Sequence, residues 1–593
     1  MSGVRPTVRP VREDTRPMAE DPKGSFALVL HAHLPYVLSH GVWPHGTDWL
    51  NEAAAECYIP LLNAFNRLAQ EGISAKVTLN ITPVLCEMLA DDGFKDEFVG
   101  YCEQRVKFAA DNEKEFRATG RAHLESVAAM WRNHFEGIRR DFVERYGRDL
   151  VGAFRRLQDA GHIEVITCCA THGYLPLLGR DECVQAQVRT AVATYRKHFG
   201  RAPLGIWLPE CAYRPSYAWR SPLDKEGTTP AIERLGVEEV LHEAGIRFFI
   251  VDSHLLKGGK PVGVYMDRFE ALKRLWGQFS EQYAERAEDA ERSPHRTYVV
   301  CTDPSAKRST VVFVRDPRSA LQVWSGEHGY PGDGSYLDFH KKHYPGGHRY
   351  WRVTDCKADL GEKQEYDPAP IEDRLGSHAD HFASLVERIL DEDTLVEKGQ
   401  GVVCAPFDAE LLGHWWFEGP RWVEKVIRRL HSAGQVRPVT CSEYVASQPP
   451  AGVLSLPEGS WGQGGFHWIW LNQWTEWTWR HIYESEDKFL ALLAAHRGSP
   501  DGTMVELLKQ AGRELLLLES SDWQFLISTW SARDYAENRV SVHYNDLKRL
   551  MALIERYAAQ GVLAAADRAF LEQLQRRDAV FPDLDLDAWR LRL

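Results

Sequence analysis

Seven short apolar runs, each ending in a polar or ionisable residue, constrain this chain more than any other feature. Phe26–Leu30 leads into His31 and His33, Val77–Leu79 into Asn80 and Thr82, and Ile163–Ile166 runs on to Thr171 and His172. Leu204–Trp207 reaches Glu210, and Phe248–Val251 gives Asp252 and His254. Val311–Val314 gives Arg315 and Asp316, and Val402-Val403 reaches Asp408. Near-continuous apolar runs suit strands buried on both faces, as in parallel sheets covered by helices. Helix-like stretches lie between them, for example Glu182–Phe199 and Thr229–Ala244. The alternation predicts an α/β fold, an incomplete seven-stranded β/α barrel, with chemistry at the carboxyl ends of its strands. A further strand near Val439 would raise the count by one.

The connections are uneven. Residues 90–160 read as a charged helical insertion, 258–309 as a long loop with a charged stretch at Glu281–Arg296, and 325–350 as a Gly- and Tyr-rich loop. Loops of such length usually shape active sites. Pro449-Pro450 and Pro457-Glu458-Gly459 mark a linker-like boundary. Beyond it, Leu547, Leu550, Met551 and Ile554 share one helical face, and Glu514–Leu518 reads as a buried helix. The chain thus divides into a tail over 1–23, a catalytic barrel over 24–450 and an all-helical C-terminal domain over 451–593. The tail is rich in Arg, Pro and Glu and has no apolar core, so it reads as flexible and unlike a signal peptide.

A formal charge of −13 argues against a protein built to neutralise nucleic-acid phosphates, and no apolar run could span a bilayer. Eleven cysteines without a C-x-x-C pair suit a reduced, cytoplasmic chain. Twenty Trp and 21 Tyr offer flat faces on which sugar rings stack, although an aromatic-rich core would account for them equally well.

Two strand ends share one design. Trp207-Leu208-Pro209-Glu210-Cys211-Ala212-Tyr213 and Ala405-Pro406-Phe407-Asp408-Ala409-Glu410 each place a proline before a carboxylate, among aromatics. Glycoside cleavage needs two carboxyl groups flanking the scissile bond, one holding a proton. Either acid alone would more readily be a salt-bridge partner or a helix cap; the pair favours catalysis. A metal-dependent hydrolase is the rival, because His31-x-His33 could ligate a cation with Asp252 and His254 completing the set. A catalytically silent glucan-binding protein is another.

His31–Tyr36, Ala170–Tyr174, Trp207–Tyr213 and Ala405–Asp408 resemble the ordered motifs of glycoside hydrolase family 57. The resemblance continues through Gln322–Ser325, Gly329–Asp333, Trp474–Glu486 and Ser520–Trp523. It covers nearly all the chain except the tail and parts of the 260–310 loop, and the C-terminal region resembles that of the family's 1,4-α-glucan branching enzymes. It implies retaining double displacement, with Glu210 as nucleophile, Asp408 as acid/base and no metal or cofactor. The partner would be an α-1,4-glucan polymer such as amylose or a glycogen-like glucan, with transfer to a 6-hydroxyl forming an α-1,6 branch. An α-amylase or 4-α-glucanotransferase would use the same pair. The resemblance further implies substrate contacts from His31, His33, His172, Arg315, Trp324, Gly332, Trp416, Trp461 and Asp522. It implies a tyrosine-bearing loop as well, with Tyr265 shielding the site from water. Asp522 could also serve as a helix cap, and the i, i+4, i+7 spacing of Trp470, Trp474 and Trp477 predicts helix packing.

Overall fold

The computed structural model describes residues 22–257, 292–302, 308–325 and 329–591. The expectations for the tail over 1–21, for Tyr265 and for most of the 258–309 loop lie outside the described residues.

All seven runs are strands: β1 Gly24–Ala32, β2 Val77–Ile81, β3 Ile163–Ile166, β4 Gly205–Ile206, β5 Phe248–Val251, β6 Thr310–Val314 and β7 Val402–Asp408. They form two parallel sets, in the orders β7-β1-β2-β3 and β4-β5-β6. Single parallel bridges join the sets at both edges, Thr167 to Ile206 and Arg315 to Cys404. Every residue of β1, β2 and β5 is buried, as strands covered on both faces require. The stretch near Val439 is a short strand, Val436–Pro438, pairing with the first residues of β1. Two further strands extend the second set: Tyr298–Val300 runs antiparallel to β6, and Val453–Leu454 pairs with it.

Register already aims chemistry at one place. His31 lies opposite Asp408 on one side and opposite Asn80 on the other, so three polar side chains leave adjacent strands at one level.

The insertion is helical, built from Asp92–Ala118, Ala122–Arg140 and Leu150–Asp159. Asp91 and Asp149 cap the first and last of these by accepting from the N–H groups of Phe94 and Gly152. The helix expected over Thr229–Ala244 is shorter, Val237–Glu243. Before it, Ile232–Arg234 pairs antiparallel with Tyr217–Trp219, because the Arg234 guanidinium and the Leu235 N–H are both drawn to the buried Asp181 carboxylate.

The stretch after Pro450 is tied to the α/β part. Gly459 and Tyr213 exchange backbone hydrogen bonds at 2.8 and 3.0 Å, which ties this segment to the turn that carries Glu210. The tryptophan spacing misleads too: the helix begins only at Glu476, so Trp470 and Trp474 lie in the preceding turns. Beyond them, Leu547, Leu550, Met551 and Ile554 are buried on helix Arg533–Gln560, which packs on helix Gly502–Leu518 and its buried Leu515–Leu518. Among the described residues, no helix is long and apolar enough to cross a membrane.

Candidate active site

Asp408 is the last residue of β7, and Glu210 sits in the turn Pro209–Cys211 directly after β4. That turn is strained, with Glu210 at φ 59° and Cys211 at φ 48°, where L-residues rarely rest. The 451–461 segment holds it: the Trp461 N–H donates to the Glu210 carbonyl at 3.0 Å. The same residue reaches the side chain, its indole N–H donating to Glu210 Oε2 at 2.6 Å.

Burial pushes the pKa of Glu210 up to about 8; the Trp461 hydrogen bond opposes this, and the charges of Asp408 and Asp522 add to it. The pair therefore accommodates one negative charge more readily than two.

The three histidines expected at the site do meet. His31 pairs its Nδ1 with Asn80 Oδ1 at 2.6 Å and its Nε2 with His172 Nε2 at 3.2 Å, and it stacks on Trp207 at 4.6 Å. His33 bonds Thr82 Oγ1 and both oxygens of Asp522, each at 3.0 Å. His172, at φ 60°, bonds Ser521 Oγ at 2.8 Å. Burial, with the nearby His33 charge, lowers the pKa of both His31 and His172 well below the ordinary value, so both are neutral imidazoles able to donate to and accept from sugar hydroxyls. Asp522 begins helix Asp522–Thr529 rather than capping it, and its carboxylate faces His33 and Ser520.

The cation set read from the sequence does not assemble as expected. Asp252 pairs with Arg315 at 3.1 Å and with His254 at 3.2 Å. It is His33, His172 and Asp522 that bring three ligand atoms within 4.8 Å and could hold an ion. Each of the three already has a hydrogen-bond partner in this protein.

Among the aromatics, Trp461 stands edge-on to Trp207 at 5.2 Å, and the Arg315 guanidinium lies 5.7 Å from its ring. Trp324 is buried at the end of helix Pro317–Trp324. Trp416 is not an open platform: it is 1% exposed, enclosed by Tyr330, Tyr336 and Trp422. Gly332 closes a turn on Gly329, beside an Asp333 that pairs with Arg374 rather than with the site. Trp470, assigned to helix packing, instead stacks at 4.4 Å on Tyr174, whose hydroxyl bonds His467. The charge of Glu210 reaches Tyr174.

Sequence reasoning also passed over Glu410, two residues beyond Asp408. Its Oε1 accepts from the Tyr58 hydroxyl at 2.5 Å and the His33 N–H at 3.1 Å. Burial pushes its pKa up to about 8; the Tyr58 bond lowers it, and the Asp408 charge raises it further. A second acid in the same motif was the available signal. Ser521 lay within the Ser520–Trp523 motif without a role of its own, and nothing in the sequence marked Tyr58.

The family model for glycosyl hydrolase family 57 matches residues 27–457, and a model for the C-terminal region of 1,4-alpha-glucan branching enzymes matches 481–589. The chain is 42% identical over 560 residues to the 1,4-alpha-glucan branching enzyme TK1436 of Thermococcus kodakarensis, covering 94% of this chain and 77% of that one. The solved structure of TK1436, in complex with glucose, superposes with a TM-score of 0.85 at 40% identity over 96% and 97% of the two chains. The alpha-amylase AmyC of Thermotoga maritima follows with a TM-score of 0.76 at 28% identity over 96% and 100%.

Proposed function

Because the chain belongs to glycosyl hydrolase family 57, we propose that it is a 1,4-α-glucan branching enzyme working by retaining double displacement. The observation that carries the catalytic assignment is Glu210, half-buried in the turn beyond β4, held by Trp461 and electrostatically coupled to Asp408 at the end of β7. The branching assignment is supported by the relatives named branching enzymes and by the C-terminal match. We read the seven parallel strands and their two edge bridges as an incomplete barrel whose carboxyl ends carry the site.

In the first step the Glu210 carboxylate attacks C1 of a glucosyl unit, the C1–O4 bond breaks, and Asp408 gives its proton to O4. The Asp408 carboxylate then takes the proton of an acceptor 6-hydroxyl, whose oxygen attacks C1 and releases Glu210. His31, His33 and His172 orient sugar hydroxyls, with His33 fixed by Asp522 and His172 by Ser521. No cofactor takes part in this scheme. The eleven cysteines are all free, which supports a reducing cytoplasm as the place of work, on a glycogen-like glucan.

Incubation with amylose, counting reducing ends before and after a debranching enzyme, tests this. A branching enzyme barely raises reducing ends until debranching frees many short chains. A rise in the first stage with nothing added by debranching would make the protein a hydrolase with the same pair.

A further inference from the structure

We propose that Cys183, Glu486 and Glu519 form a buried site for a zinc-class divalent cation, pinning the helical C-terminal region to the α/β part. The three come from separate elements. Cys183 lies on helix Asp181–Phe199, which belongs to the α/β part, and Glu486 lies on helix Glu476–His496. Glu519 directly follows helix Gly502–Leu518. All three side chains are buried, and one donor atom of each lies within 4.8 Å of the others.

Two features point to a ligand there. The first is charge. Two carboxyl groups share a site shut off from water, and among the described residues neither makes an ion pair within 4.0 Å; the Arg234 guanidinium, bonded to Asp181, acts on Glu486 only from a distance. Asp181, two residues before Cys183, is treated quite differently, being answered by both Arg214 and Arg234. Burying two acids without a counter-charge is costly, and a cation supplies that charge. The second is an under-satisfied atom: Glu519 Oε1 is fully buried without a well-formed hydrogen bond, and it is the Cys183 thiol that acts on this carboxyl.

The remaining oxygens are held as metal ligands usually are, by N–H groups that fix their orientation. The Gly179 N–H donates to both oxygens of Glu486 at 3.1 and 2.9 Å, and Gln187 Nε2 donates to Glu519 Oε2 at 2.8 Å. One thiolate with two carboxylates suits zinc, whereas calcium and magnesium favour all-oxygen sets. Binding requires a deprotonated Cys183 thiol, so affinity falls as pH falls.

The full-length chain, expressed with added zinc and passed through gel filtration, should retain one zinc per chain. Loaded with cobalt(II) instead, it should show a near-ultraviolet thiolate-to-cobalt charge-transfer band. Among the described residues the two other candidate clusters, His33–His172–Asp522 and His40–His543–Asp578, contain no cysteine, so the band reports this site. Cys183→Ser and Glu519→Gln should each lose the zinc, and Cys183→Ser the band. Absence of the band from the cobalt-loaded wild-type chain, which needs no variant to fold, would overturn the assignment; so would full zinc retention by Cys183→Ser.

Discussion

The indole N–H of Trp461 donates to Glu210 Oε2 at 2.6 Å, across 251 residues of sequence. This hydrogen bond stabilises the ionised form of Glu210 against burial and the neighbouring charges of Asp408 and Asp522. Trp461→Phe keeps most of the ring and removes this donor. A hydrogen bond to a charged group contributes about 1.5–3 kcal/mol, so kcat/KM should fall ~10–100-fold. The pKa of Glu210 then rises, so the acidic limb of the kcat/KM–pH profile should move to higher pH. A limb that stays in place would remove Trp461 from this role.

The two carboxyls can be told apart by leaving group. Glu210→Gln and Asp408→Asn should each lower turnover on amylose by at least ~10³-fold. With an α-maltosyl fluoride donor, whose leaving group needs no proton, Asp408→Asn should recover most of the first-step rate and Glu210→Gln none. The reverse pattern would exchange the roles.

Gly465 sits at φ +73°, and a Cβ there would come within 2.3 Å of His254 Nε2. Its N–H and carbonyl bind Gly462 and Ser460, the residues flanking Trp461. Gly465→Ala should therefore lower kcat on amylose by more than tenfold while shifting Tm by only a few degrees, since strain at one such position costs about 1–3 kcal/mol. Unchanged kcat would show that the loop tolerates the displacement.

Glu56, in the segment between β1 and β2, links the 325–350 loop to the loop after Asp408. Burial opposes its ionisation, yet Arg349 at 3.2 Å and His414 at 2.9 Å hold its pKa near about 2. A depressed carboxyl pKa adds stability above its unfolded value, and that stability is lost as pH falls from there toward 2. Glu56→Gln should thus lower Tm clearly at pH 7, with the gap to wild type narrowing as pH drops below the ordinary glutamate range. A gap independent of pH would mean that the lost contribution is packing rather than charge.

Much of this protein was legible in its sequence, because strands buried on both faces must be apolar throughout and must hand their chemistry to whatever follows them. That rule located all seven strands and set His31, His33 and Asp408 at strand ends, whereas Glu210 and His172 lie in the turns beyond theirs. Pattern failed where distant parts of the chain decide the outcome. The proline-rich stretch after 450 is held by hydrogen bonds to Tyr213 and Glu210, which no local composition could reveal. Trp470 and Trp416 are both fully buried, and spacing could not say that one ring packs on Tyr174 and the other on Tyr330 and Trp422. The residue types, then, fixed which groups could do acid–base chemistry. Only tertiary structure decided which of them share a charge, because burial and a neighbour a few ångströms away set a carboxyl pKa, and both belong to the folded chain.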